Sequence, residues 1–101
     1  MDELKRLSND IWDELEGAKH YADMAVKYKM TDATRAGTYA EMARQELGHA
    51  EHLQKMADRI LSNHKAENAE AGKLHEAVWN WEKDKLHDRM SHIRGKIEMA
   101  K

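Results

Sequence analysis

The chain has 101 residues, no proline and no cysteine, with 36% charged side chains and a formal charge of −2, the composition of one helical domain or coiled coil. Disulfides, thiolate catalysis and thiolate-held metals are excluded, leaving histidine and carboxylate as the strong ligands. Residues 1–30 and 31–72 each carry five basic and seven acidic groups and residues 73–101 carry seven and five, so no patch of one sign is offered to a nucleic acid.

No run approaches the ~18 apolar residues of a membrane span, and the N-terminal Asp2-Glu3-Leu4-Lys5 contains no apolar signal core. A soluble protein, cytoplasmic or held inside a protein compartment, is expected. A single domain of this size (1–101) buries roughly 65% of its extended surface, and association with further copies would add to that.

The first helix is expected over about 2–29, with Lys27 and Lys29 complementing the dipole at its end; Ser8-Asn9-Asp10 offers a competing start. Its stripe reads Leu4, Leu7, Ile11, Glu14, Ala18, Tyr21, Ala25, Tyr28, in steps of three and four. Thr31 and Asp32 are suited to cap a second helix over about 32–63, with the stripe Tyr39, Met42, Glu46, His49, Leu53, Met56, Ile60. Residues 64–72 lack any large apolar side chain and read as a linker or a solvated turn of helix. A third helix is expected over about 73–100, striped by Trp79, Glu82, Leu86, Met90, Ile93 and Ile97, with Leu74, Val78 and Trp81 widening its apolar face. The fold class is therefore all-α: an antiparallel helical hairpin plus a third long helix, with a bundle completed by dimerisation.

Glu14, Glu46 and His49 interrupt the stripes. A buried acid without a partner costs several kcal/mol or takes up a proton, so these acids call for a partner. A turn centred near Thr31 brings Glu14 level with position 48, between Glu46 and His49. One carboxylate facing Glu-x-x-His is half of the dinuclear carboxylate site of helical bundles, and a twofold dimer would complete it. Four carboxylates and two imidazoles would neutralise two divalent ions, a donor set suited to iron, with manganese also possible. Gly17 and Gly48, near the same level, would leave room for close approach or for an ion. Tyr21 and Tyr39 lie one heptad from the acids, where core packing or a hydrogen bond to a ligand carboxylate are both open. Glu82 is either a further ligand or an edge acid paired with Lys85. His20 and His52 flank the stripes as rim residues or an accessory cation site.

The segments Glu14-Leu15-Glu16-Gly17-Ala18-Lys19-His20-Tyr21 and Ala43-Arg44-Gln45-Glu46-Leu47-Gly48-His49-Ala50-Glu51 resemble the ferritin-like superfamily, in particular its rubrerythrin-like and encapsulated-ferritin branches, over about residues 8–62. The resemblance implies a di-iron protein, a ferroxidase oxidising Fe(II) with dioxygen or peroxide, or an iron binder. Glu14, Glu46 and His49 would be its metal ligands and catalytic residues, shared between the subunits of a homodimer or larger homo-oligomer. No second Glu-x-x-His follows Gly72, and the C-terminal Gly95-Lys96-Ile97-Glu98-Met99-Ala100-Lys101 does not resemble the apolar shell-targeting tail of encapsulated ferritins. The rival reading is a non-enzymatic helical assembly or adaptor protein, of phage or prophage type, in which the acids and histidine set register without metal chemistry.

Overall fold

A computed structural model describes residues 2–101 as three helices, α1 (Asp2–Tyr28), α2 (Ala33–Glu67) and α3 (Ala69–Met99). Among these residues all regular structure is helical. The chain runs up, down and up in a slender bundle of 56 × 16 × 15 Å, whose length is that of the 35-residue α2 at 1.5 Å per residue.

The helix ends follow from local chemistry. Asp32 caps α2 by accepting from the Arg35 amide at 3.0 Å, and its own N–H bonds the Tyr28 carbonyl at 2.8 Å. The expected linker 64–72 is instead helical except at Asn68. That residue closes α2 with its N–H on the His64 carbonyl at 2.9 Å and opens α3 with its side chain on the Ala71 amide at 3.1 Å. A single asparagine thus serves as both caps, and alanine and glutamate on either side keep the flanks helical. The competing start at Ser8 is overridden, because the Ser8 hydroxyl is drawn into a tertiary hydrogen bond with Glu82.

The core departs from the expected stripes in a systematic way. On α1 the fully buried positions are Ile11, Leu15, Ala18, Ala22 and Ala25, and on α2 the buried row is Ala36, Ala40, Ala43, Leu47, Ala50, Gln54, Ala57 and Leu61. Alanine dominates this row because α1 and α2 pack tightly along their length, and small side chains permit close approach. The larger Tyr39, Leu53 and Ile60 fall on the flank, partly buried, while Met56 is 41% exposed. On α3, Trp79, Leu86, Met90, Ile93 and Ile97 are buried as expected, whereas Leu74, Val78 and Trp81 are exposed.

Polar contacts fix how α3 lies on the hairpin. Against α1 it pairs Glu82 with Trp12, Arg89 with Glu16 and Lys96 with Asp23. Against α2 it pairs Arg94 with Glu51, His87 with the buried Gln54, and Trp79 with Asp58. Glu14 stands two residues from both Trp12 and Glu16, roughly 160° around the helix, and His49 has the same relation to Glu51. The face carrying Glu14 and His49 is therefore the one α3 leaves open.

Candidate metal centre

Glu14, Glu46 and His49 come together on this open face. Their nearest ligand atoms all lie within 4.8 Å of one another. His49 Nδ1 is 3.4 Å from Glu14 Oε2 and 3.9 Å from Glu46 Oε1. Donors that share one ion through bonds of about 2.0–2.2 Å stand roughly 3–4 Å apart, and both His49–carboxylate distances fall in that interval. The hairpin register supplies the Glu14–His49 contact, and the i, i+3 spacing supplies Glu46 and His49 from one helix face.

The two carboxyl groups oppose each other. Glu14 beside it is the main reason that the Glu46 carboxyl is held above its ordinary value, burial adds to this, and His49 only partly offsets it. A site that raises the pKa of its own acid is short of positive charge. The side chains of Glu14 and Glu46 are 29% and 28% exposed, and that of His49 is 58% exposed, so the imidazole sits at the rim instead of inside the seam as the stripe had suggested.

Gly17 makes the local room. A Cβ built there would lie 3.1 Å from Glu46 Oε2, whereas one at Gly48 would meet nothing within 4 Å, so only the first of the two expected glycines borders the carboxylates. Toward the α1–α2 turn, Tyr21 and Tyr39 stack with ring centroids 6.2 Å apart, Tyr39 stacks on Tyr28 at 6.1 Å, and the Arg35 guanidinium covers Tyr28 at 4.0 Å. The tyrosines form an aromatic column one heptad from the acids, toward the turn.

Glu82 belongs elsewhere. It accepts from Ser8 Oγ at 2.9 Å and Trp12 Nε1 at 2.6 Å and pairs with Lys85 at 3.0 Å, on the side of α1 that faces α3. The Trp12 hydrogen bond holds its carboxyl below the ordinary value despite burial. Of the two alternatives for Glu82, the structure shows the pair with Lys85, and the carboxylate also joins α1 to α3 through Ser8 and Trp12.

One pairing was not legible along the chain. His64, within the expected linker, faces His75 on α3 with ring nitrogens 3.0 Å apart, and burial lowers the pKa of His75. The elbow at Asn68 creates this proximity, and only the spacing of eleven residues hints at it. No helix of the described residues is long and apolar enough to cross a membrane. In comparisons with known proteins, no family model, curated sequence or solved structure matches this chain.

Proposed function

We propose that the chain is a ferritin-like di-iron protein whose hairpin faces pair in a homodimer, so that Glu14, Glu46 and His49 of two copies hold two metal ions. The observation that carries the reading is the convergence of two carboxylates and one imidazole, within 4.8 Å, at the centre of an open face flanked by half-buried Leu7, Tyr21, Tyr39 and Leu53. A second copy would cover the apolar flank and double the donor set to four carboxylates and two imidazoles. That set matches the charge of two divalent ions and favours iron, with manganese the nearest substitute.

Ferrous ions held there would supply electrons to dioxygen or peroxide. The chain's own residues provide the setting. Glu14 and Glu46, opposed and short of positive charge, would chelate or bridge the ions, and His49 at the rim would cap them. Gly17 gives the Glu46 carboxylate its space.

A second reading keeps the dimer and drops the metal. The partly buried apolar flank wants a cover in either case, and the Glu14, Glu46 and His49 cluster would set the register of a helical assembly. Metal dependence separates the two. Anaerobic Fe(II) should bind at about one ion per chain, raise the melting temperature and promote dimer formation in sedimentation. Glu46→Ala should lose all three responses while keeping its helical circular dichroism. An unmoved melt and no bound metal in the wild-type chain would overturn the di-iron reading.

A further inference from the structure

His64 near the end of α2 and His75 in the second turn of α3 face each other across the Asn68 elbow, with His64 Nε2 3.0 Å from His75 Nδ1 and ring centroids 4.9 Å apart. The placement is built by its neighbours. Asn68 caps both helices, and the Lys65–Glu76 ion pair forms the adjacent rung. Gly72 lets the backbones close, since a Cβ there would stand 2.8 Å from Lys65 Cα and 2.6 Å from its Cγ.

We propose that His64 and His75 form a second cation site, separate from the carboxylate cluster, that takes a borderline divalent transition ion such as Zn²⁺ or Cu²⁺ and ties α2 to α3. Two metal–nitrogen bonds of about 2.0–2.1 Å, set between a right angle and a tetrahedral angle, put their nitrogens roughly 2.9–3.4 Å apart. The observed 3.0 Å between His64 Nε2 and His75 Nδ1 falls in that interval. Imidazole donors without an opposed carboxyl pair select zinc, copper or nickel, whereas the Glu14 cluster selects harder ions. In the metal-free pair one facing nitrogen carries the hydrogen and donates to the other. With metal bound, both facing nitrogens present lone pairs and the ring hydrogens sit on His64 Nδ1 and His75 Nε2.

His75 also lines a groove of about 540 Å³ together with Leu4, Ser8, Trp79 and Glu82. An ion held by both rings would act as a cross-link at the elbow. This proposal does not depend on the di-iron reading.

The test is Zn²⁺ titration by calorimetry of the full chain carrying Glu14→Gln, Glu46→Gln and His49→Gln, with melting curves beside it. About one Zn²⁺ per chain and a raised melting temperature are expected, and both should vanish when His64→Gln and His75→Gln are added to the same background. Saturable binding that survives those two substitutions, or none before them, overturns the proposal. Ring NMR of the wild-type chain guards against a folding defect in the variants. With Zn²⁺, the His64 and His75 resonances should shift together; shifts confined to His20, His49, His52, His87 or His92 overturn the assignment.

Discussion

The Glu46 carboxylate lies over Gly17, and the Cβ that any other residue would carry there would stand 3.1 Å from Glu46 Oε2. Helix interiors disfavour glycine, so Gly17→Ala should stabilise the metal-free chain by up to about 1 kcal/mol. The same methyl crowds the carboxylate that the di-iron reading assigns to metal. Fe(II) affinity should therefore fall by roughly tenfold or more while the metal-free melt rises. Titration and melting of one variant read both effects, and unchanged affinity would place the ion away from Glu46.

The opposed carboxyls should make the metal-free site a cost at neutral pH. The folded pKa of Glu46 is raised above its ordinary 4.5, so its contribution to stability is fully present below 4.5 and is lost as pH rises through the folded value. Metal-free Glu46→Gln should melt higher than wild type at neutral pH, and the difference should shrink as pH falls toward 4.5. A difference that does not change with pH would mean that the Glu14–Glu46 contact is not felt.

Glu82 predicts the opposite sign. Its folded pKa is depressed by Trp12, so its contribution is present above 4.5 and is lost as pH falls below that toward the folded value. Glu82→Ala leaves the Trp12 N–H without its carboxylate at the α1–α3 contact. The loss should be about 2 kcal/mol, or on the order of 10 °C in a chain of this size. Iron binding should be retained, and loss of iron together with retained stability would return Glu82 to the metal centre.

The elbow is tested through Gly72. Gly72→Ala drives a methyl against the Lys65 backbone, so it should destabilise by about 1–3 kcal/mol despite alanine's better helix propensity. It should also part His64 from His75, seen as weaker Zn²⁺ binding in the calorimetric titration. A stabilised Gly72→Ala would show that the two helices do not close as tightly as described.

The sequence by itself determined the helical class, a cap at Thr31 or Asp32 and the buried row of α3, because these rest on periodicity and on short-range hydrogen bonding. It also determined that Glu14, Glu46 and His49 meet, since a tight turn fixes which residues of two antiparallel helices are level. Only the tertiary structure decided which side of that hairpin α3 would cover. The large side chains Tyr39, Met42 and Leu53 dominate the pattern along α2, but its buried row is lined by Ala40, Ala43, Ala50 and Ala57, whose small apolar signal is outweighed in the pattern although their size permits the close approach. The commitment of Glu82 to Trp12 and the meeting of His64 with His75 were likewise decided in three dimensions. Each joins residues on different helices, through an α3 packing arrangement or an elbow that no local period encodes.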